Sequence, residues 1–323
     1  MYVDAGSEKA RRCDGHFRGA GDHGEQPGDA GGGNVSPFRH PELTGAASIW
    51  SISGEELDLT SGVLVGVLNV TPDSFSDGGK LSDPEIAIAH GLDMVATGAG
   101  IVDVGGESTR PGARPVAESE ELRRTMPVVE GLVAGGARVS IDTSKPGAAS
   151  SALRAGAAIV NDVTGFRDEA MIEVVAESDC GVVAMHMQGT PADMHIDPKY
   201  DDVVAEVEAY LLERIDRLEQ AGVDRERIAI DPGIGFGKRA RHSLALLANL
   251  DRLARHGVPV MIGTSRKGFL AKVTGDETRP GQDRATAITT ALAYTLGARV
   301  FRVHDVAKSR DALAVAGAIV ANQ

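Results

Sequence analysis

The sequence predicts an α/β protein of the (β/α)8 TIM-barrel class, and two observations support this prediction. Short apolar runs rich in Val and Ile alternate with longer segments of helical period, and this pair of segments occurs eight times. The pairs occupy about 260 residues, close to the roughly 250 residues of a typical barrel of this class. An open doubly wound sheet is the alternative, but no G-x-G-x-x-G glycine fingerprint follows an early strand.

The predicted strands share a continuous apolar character, which is typical of parallel strands covered by helices. They are residues 63–70, 100–106, 137–143, 157–163, 181–187, 227–233, 259–265 and 299–306. Helices are predicted between them, and one more follows the last strand. They include residues 83–98, 118–135, 168–178, 200–221, 241–256, 282–297 and 307–320.

Residues 1–45 are predicted to be a disordered extension, and residues 46–323 to be a single catalytic domain. The extension is rich in Gly and charged residues and poor in apolar ones, so it buries too little surface to offset the entropy of ordering. A start codon placed too far upstream is an equally simple explanation. We expect the few residues around Trp50 to pack on the barrel.

Composition argues against several classes of protein. The net charge of -13 disfavours general nucleic-acid binding and indicates a soluble protein. No apolar run is long enough to span a bilayer, and residues 1–45 contain no signal-peptide core. The two cysteines, Cys13 and Cys180, predict neither a disulfide framework nor a zinc cluster. We therefore predict a cytoplasmic protein that binds neither nucleic acid nor membrane.

Polar or ionisable groups follow all eight predicted strands, whereas the strands begin with Gly, Ala, Pro, Arg or Val. In barrels of this class the active site lies at the C-terminal ends of the strands, so this asymmetry predicts a functional site there. The residues at these ends are Asn69, Asp103, Glu107, Asp142, Asn161, Asp162, Met185, His186, Asp231, Ser265, Arg302, His304 and Asp305.

The carboxylate and amide groups among these residues form a first cluster. Asp142, Asn161 and Asp231 suit a flat heterocycle that carries several N–H donors and a carbonyl group. Each Asp taken alone is as readily explained as a helix N-cap. Ser144 is the better cap of the next helix, with Pro146 in its first turn, and Asp142 is then free to point into the barrel.

The cationic groups form a second cluster, at the usual phosphate site of this barrel. Ser265, Arg266 and Lys267 close strand seven, while Arg302 and His304 are two residues apart in strand eight and share one face. An anion pocket is predicted here. The alternative is that Arg266 and Lys267 are solvated loop charges.

The stretch GVLNVTPDSFSDGG, residues 66–79, begins as an apolar strand and ends in a string of polar groups. It is either a surface turn, as its residue types allow, or a loop that covers a ligand. Asn69 adjoins strand eight in a closed barrel. There it is placed to hold a Mg²⁺ ion that bridges diphosphate oxygens, since Mg²⁺ uses few protein ligands.

Eight sequence blocks in series resemble the dihydropteroate synthase family over nearly all of residues 63–323. They are GVLNVTPDSFSDGG, DVGGESTRPGA, SIDTSK, VNDVTGF, MHMQGTPADM, IDPGIGFGK, GTSRKGFL and RVHDV. The resemblance implies a (β/α)8 barrel that forms a homodimer. It also implies an enzyme of folate synthesis that joins 6-hydroxymethyl-7,8-dihydropterin diphosphate to 4-aminobenzoate and releases diphosphate.

The resemblance assigns roles to individual positions. Asn69 is implied to touch Mg²⁺ and diphosphate. The positions implied for the pterin diphosphate are Thr109, Asp142, Asn161, Asp231, Lys267, Arg302 and His304. Those implied to surround aminobenzoate are Phe75, Pro111 and Ser265. We predict that the catalytic groups are Asp142, Asp231, Lys267 and Arg302, which would stabilise the leaving diphosphate and a developing pterin cation.

Two loops, residues 70–79 and 107–116, are predicted to close over the bound diphosphate, because a cationic intermediate must be shielded from water. Asp73 and Asp77 are expected to pair with Arg110 in the closed state. The polar string after the first strand would then belong to a lid.

Three alternatives remain open. A pterin-binding methyltransferase has a similar Asp and Asn set but needs no diphosphate pocket. A non-catalytic pterin-binding paralogue should have lost loop residues that this chain keeps. A metal hydrolase built on His186 and His195 is weakly supported, because they are nine residues apart and show no metal-binding spacing.

Overall fold

A computed structural model describes residues 46–71, 83–110 and 112–322. Its strands are β1 (Ile49–Ile52), β2 (Glu55–Asp58), β3 (Val63–Asn69), β4 (Ile101–Gly105), β5 (Val139–Asp142), β6 (Ile159–Asp162), β7 (Gly181–Met185), β8 (Ile228–Asp231), β9 (Met261–Ile262) and β10 (Val300–Val303). The first two strands pair as an antiparallel hairpin, and the other eight form one parallel sheet. The predicted extension, residues 1–45, lies outside the described residues.

The parallel sheet closes on itself. Its strand order is β8-β7-β6-β5-β4-β3-β10-β9. A parallel bridge between Ile230 in β8 and Val260, just before β9, joins the two edges, and the Ile230 N–H donates to the Pro259 carbonyl at 2.9 Å. The predicted barrel is therefore confirmed, and all eight strand ends point to one side of the molecule.

Helices connect the strands and cover the outside of the barrel. Among the described residues they are α1 (Pro84–Thr97), α2 (Glu118–Ala134), α3 (Pro146–Arg154), α4 (Glu169–Ala176), α5 (Val203–Gln220), α6 (Ala240–Ala248), α7 (Leu250–Ala254), α8 (Gly268–Thr274), α9 (Arg279–Thr295) and α10 (Val306–Val320). None of the described helices combines the length and the apolar character needed to cross a bilayer.

Two helical features differ from the prediction. The short helix α8 was not predicted, whereas α3 begins at Pro146, where a helix was expected. Residues 241–256 form two helices, because Asn249 leaves the helical region with φ -123° and ψ 29°.

The predicted cap of α3 is wrong. The helix begins at Pro146 with Lys145 as its N-cap residue, and no side chain caps it. Ser144 therefore lies one position too early to cap the helix. Thr143 instead accepts a hydrogen bond from the Lys145 N–H at 3.1 Å.

Successive strand residues pack on opposite sides of the barrel wall, as the two-residue period of a strand requires. In β3, Val63 and Val65 join an apolar cluster inside the barrel. Leu64 and Leu68 join the larger cluster between the strands and the helices. The barrel is thus a packed core rather than a pore.

The hairpin of β1 and β2 covers the N-terminal end of the barrel. Trp50 is 1% exposed and packs with Ile52 in the inner cluster, and its Nε1 donates to the Arg227 carbonyl at 2.9 Å. A Cβ on Gly181, where β7 begins, would lie 3.0 Å from Ile52 and 3.2 Å from Trp50. The expected packing of Trp50 on the barrel is confirmed, and the hairpin covers the end of the barrel opposite to the C-terminal strand ends.

We expect Trp50→Ala to lower the free energy of unfolding by about 3–5 kcal/mol, because it leaves a cavity among fully buried side chains. Denaturant unfolding measures the change. The neighbouring Ile49 is 46% exposed, so Ile49→Ala should change stability by no more than about 0.5 kcal/mol. Equal effects of the two substitutions would show that the hairpin does not seal the barrel.

Candidate active site

The C-terminal ends of the strands enclose a cavity of about 610 Å³. Every described residue to which a substrate, metal or lid role was assigned lines this cavity, namely Asn69, Thr109, Arg110, Asp142, Asn161, Asp231, Ser265, Lys267, Arg302 and His304. Of the other strand-end residues, Met185 lines it, and Asp103, Glu107, Asp162, His186 and Asp305 do not. The remaining predicted residues, Asp73, Phe75, Asp77 and Pro111, lie outside the described residues.

The Arg302 side chain lies among Asp103, Asp142, Asn161 and Asp231, which are called the anionic wall below. Its Nε donates to Asp103 Oδ2 at 2.6 Å, and its Nη2 donates to Asp142 Oδ2 at 2.7 Å. Both carboxylates are buried, so one guanidinium compensates two charges that have left water. Arg302 thus holds the two carboxylates in place as well as lining the cavity.

Asp103 is a site residue to which the sequence analysis gave no role, although it ends a strand. Its Oδ2 accepts from Asn161 Nδ2 at 3.3 Å in addition to Arg302. This contact orients the Asn161 amide. Among the described residues, the buried Asn161 Oδ1 has no hydrogen-bond partner, so it is an acceptor suited to an N–H group of a ligand.

Two carboxyl groups on the cavity wall have unusual pKa values. Burial raises the pKa of Asp142 to about 7, although the Arg302 charge opposes the rise. Burial likewise raises the pKa of Asp231 to about 6, against a hydrogen bond from the Gly233 N–H at 2.6 Å. A ligand that donates N–H groups to these carboxylates would stabilise their charged forms.

Lys267 and Phe236 contact each other on the lining of the cavity, and Lys267 with His304 is called the cationic wall below. The Lys267 Nζ lies 4.1 Å from the centroid of the Phe236 ring, a cation–π distance. Burial and the nearby Arg302 charge lower the pKa of Lys267 to about 8. Phe236 was missed because a lone aromatic residue in a glycine-rich loop has no periodic signal.

The loop that carries Phe236 depends on glycine at close approaches. Gly233 has φ +65°, and a Cβ there would lie 1.8 Å from the His186 carbonyl oxygen. Lys238 closes the loop: its Nζ donates to the Phe236 carbonyl at 3.0 Å and lies 2.8 Å from His186 Nδ1. His186 therefore belongs to the scaffold of the cavity.

Ser265 and His304 are joined to each other. The His304 N–H donates to Ser265 Oγ at 3.0 Å, and His304 Nδ1 lies 2.8 Å from the same oxygen. Burial and the Arg266 and Arg302 charges hold the pKa of His304 well below its usual value. The imidazole is therefore neutral at pH 7.

The alternative that Arg266 and Lys267 are solvated loop charges is wrong. The Arg266 side chain is 16% exposed and pairs with Asp283 at 2.6 Å. Lys267 faces the cavity. The predicted concentration of positive charge after the seventh and eighth barrel strands is therefore present.

The loop 107–116 is anchored at its base. Glu107 accepts a hydrogen bond from the Val116 N–H at 3.1 Å, and Lys145 bridges Glu107 to the buried Glu121. These contacts fix the two ends of a loop whose Thr109 and Arg110 line the cavity.

The fold and the cavity define a barrel enzyme whose site combines buried carboxylates and an amide with cationic side chains. The family model of pterin binding enzymes matches residues 65–304, and the chain belongs to this family.

Its relatives are dihydropteroate synthases. The enzyme of Mycobacterium leprae is 51% identical over 262 residues, which cover 79% of this chain and 92% of that protein. The Xanthomonas albilineans enzyme solved with 4-aminobenzoic acid is 46% identical with a TM-score of 0.79, over 84% of this chain and 98% of that one. A second structure of that enzyme, in complex with 7,8-dihydropteroate, is 40% identical with a TM-score of 0.74, at the same coverage.

The Asp231 carboxyl predicts a pH-dependent stability. Its pKa rises from 3.8 to about 6 on folding, so the folded state binds the proton more tightly than the unfolded chain does. The stabilisation that proton binding to Asp231 provides is fully present below about pH 4 and is lost as the pH rises through about 6. Relative to Asp231→Asn, the free energy of unfolding of the wild type should fall by up to about 3 kcal/mol over this range.

Urea unfolding of both proteins from pH 4 to 7.5 measures this difference. The exposed Asp216 provides a control, since Asp216→Asn should run parallel to the wild type. Parallel curves for the Asp231 variant and the wild type would contradict the prediction.

Proposed function

We propose that this protein is the enzyme that condenses 6-hydroxymethyl-7,8-dihydropterin diphosphate with 4-aminobenzoate to give 7,8-dihydropteroate and diphosphate. The observation that carries the proposal is that one cavity combines two kinds of polar group. Asp142, Asn161 and Asp231 suit the pterin, and Lys267, Arg302 and His304 suit diphosphate. The catalytic domain is residues 46–323.

The pterin ring is held by hydrogen bonds to the anionic wall. Its guanidine-like edge donates to a carboxylate such as Asp231, and its remaining polar edge meets the Asn161 amide, which both donates and accepts. Because these groups are buried, their orientation is fixed before the substrate arrives.

The chemical step breaks the bond between the pterin methylene carbon and the bridging oxygen, and the electron pair leaves with diphosphate. Lys267, Arg302 and His304 stabilise that negative charge, while Asp142 and Asp231 stabilise the cation that develops on the pterin. Preorganised charges of this kind are usually the largest contribution to catalysis. The Thr109 side chain adds a polar contact to the diphosphate.

The amine nitrogen of aminobenzoate forms the new bond to the pterin methylene carbon. The arylamine is neutral at pH 7, so it needs no strong base and loses its proton once the bond has formed. Ser265, Phe75 and Pro111 surround this substrate. The Phe236 ring and the Lys267 alkyl chain form one face of its pocket, as their contact suggests.

Mg²⁺ fits this site as a partner of the diphosphate. Its donor set would be the Asn69 amide oxygen and substrate phosphate oxygens, in keeping with its preference for few protein ligands. Within the described residues, no three His, Cys, Asp or Glu side chains converge as a metal-binding group. When bound, the ion neutralises charge on the leaving group. In the proposed closed state, the loops 70–79 and 107–116 cover the bound diphosphate, and Arg110 pairs with Asp73 and Asp77.

The proposed enzyme acts in the cytoplasm.

A non-catalytic pterin-binding protein is the second candidate, because the anionic wall alone suffices to bind a pterin. The cationic wall favours the condensation. A methyltransferase has no use for a diphosphate pocket built from Lys267, Arg302 and His304.

The purified protein should release diphosphate and form dihydropteroate when supplied with Mg²⁺, dihydropterin diphosphate and 4-aminobenzoate, with the organic product identified by mass. We expect Asp231→Asn to lower kcat/KM by about 10²–10³-fold, because it removes a charge aimed at the developing cation. The exposed Asp216→Asn variant serves as control and should retain activity. Pterin binding without condensation by the wild type would establish the second candidate instead.

The outer faces of α9 and α10 support a homodimer. Among the residues that the structure describes, ten large apolar side chains are exposed, and five of them lie on α8, α9 and α10. Ile288 and Leu292 form an i,i+4 pair on α9, and Val315 and Ile319 form another on α10. The two helices pack on each other, so their apolar pairs provide a surface for a second copy of the chain.

Ile288→Asp combined with Leu292→Asp should convert the dimer to a monomer, because two charges cannot be buried unpaired in an apolar interface. Analytical ultracentrifugation measures the change. Ile86 and Val95 are exposed on α1, so Ile86→Asp with Val95→Asp is a control with the same number of new charges. Dissociation by the α1 pair, or none by the α9 pair, would place the interface elsewhere.

A further inference from the structure

The tight turn of residues 264–267 presents two cavity side chains at once. The Lys267 N–H donates to the Thr264 carbonyl at 3.1 Å and closes the turn between β9 and α8. Ser265, in the middle of the turn, contacts His304, and Lys267 at its end lies over Phe236. The backbone conformation of this turn therefore sets the direction of both side chains.

Arg266, the third residue of the turn, has φ +58°. Turns with positive φ at this position strongly favour Gly or Asn, because a Cβ disfavours the left-handed region. Four non-glycine residues in the described part of the chain have positive φ, and of these Arg266 alone lines the cavity. Such a conformation persists only where the surroundings impose it.

Asp283 on α9 imposes it. The Arg266 Nε donates to Asp283 Oδ1 at 2.6 Å, and Nη2 donates to Oδ2 at 3.2 Å. The Asp283 side chain is 7% exposed, so this two-bond pair is buried and geometrically specific. The Arg266 N–H also donates to Thr286 Oγ1 at 3.2 Å, and the backbone and the side chain of Arg266 are thus both held by one helix.

We propose that Asp283 is a positioning residue of the active site: it holds Arg266 in the left-handed conformation and thereby aims Ser265 and Lys267 into the cavity. The inference rests on the proposed function and adds to it a residue that touches neither substrate. On this account the Arg266 guanidinium acts on the turn and is not the ligand of the diphosphate.

The competing explanation is that the pair only stabilises the fold. A buried aspartate near the start of a helix interacts favourably with the helix dipole, and its loss would lower stability without a specific effect on the turn. A second competitor is that Arg266 binds the diphosphate itself. Substitution of both partners distinguishes the three, because glycine adopts positive φ without a side chain to hold it.

Asp283→Asn should lower kcat/KM for dihydropteroate formation by about 10–100-fold, because the turn relaxes once its buried charge partner is gone. Adding Arg266→Gly to Asp283→Asn should restore activity to within about five-fold of the wild type. The exposed pair of Arg255 with Asp251, 2.6 Å apart, provides a matched control: Asp251→Asn should leave kcat/KM unchanged.

Thermal melting and calorimetric binding of dihydropterin diphosphate accompany each kinetic measurement. A double variant no more active than Asp283→Asn would overturn the proposal. A lowered melting temperature in that variant would then indicate a structural role of the pair. An unchanged melting temperature would indicate that Arg266 binds the diphosphate directly. Wild-type activity in Asp283→Asn would overturn it as well. If the wild type binds the pterin diphosphate but makes no product, the proposed function fails. The inference is then tested by the affinity for dihydropterin diphosphate, which Asp283→Asn should lower and the double variant should restore.

Discussion

The ion triad of Arg302 with Asp103 and Asp142 is the interaction on which the site depends. It links β10 to β4 and β5 across the open end of the barrel. Neither of these strands is a neighbour of β10 in the sheet, because β3 lies between them. Inward-facing side chains of such strands meet only because the sheet closes. Breaking a buried ionic contact of this kind typically costs about 3–5 kcal/mol, since it leaves an uncompensated charge.

The cavity combines buried carboxylates with cationic side chains, and this combination is the basis of the proposed chemistry. In the proposed complex the carboxylates stabilise the developing cation, and the cations stabilise the leaving diphosphate. Burial strengthens these interactions, because the effective dielectric constant inside the cavity is well below that of water. Burial also shifts the pKa values of Asp142, Asp231 and Lys267 toward neutrality. A bound ligand that brings compensating charges or hydrogen bonds would oppose these shifts.

Helix α9 connects the cavity to the outer surface of the molecule. Its first turns carry Asp283 and Thr286, which hold the turn of Arg266. Its later turns carry the exposed Ile288 and Leu292. A partner subunit bound on that face would restrict the same helix that aims the cationic wall. Assembly and site geometry would then be coupled through one rigid element.

The sequence by itself determined the barrel and the part of the site that lies at strand ends. Asp142, Asn161 and Asp231 could be predicted because a parallel strand places its last residues at one rim of a closed sheet. The contact of Asp103 with Arg302 joins residues 199 positions apart, and the place of Phe236 depends on a loop without periodic pattern. Only the tertiary structure decided these contacts, because they follow from how the closed barrel brings distant segments together.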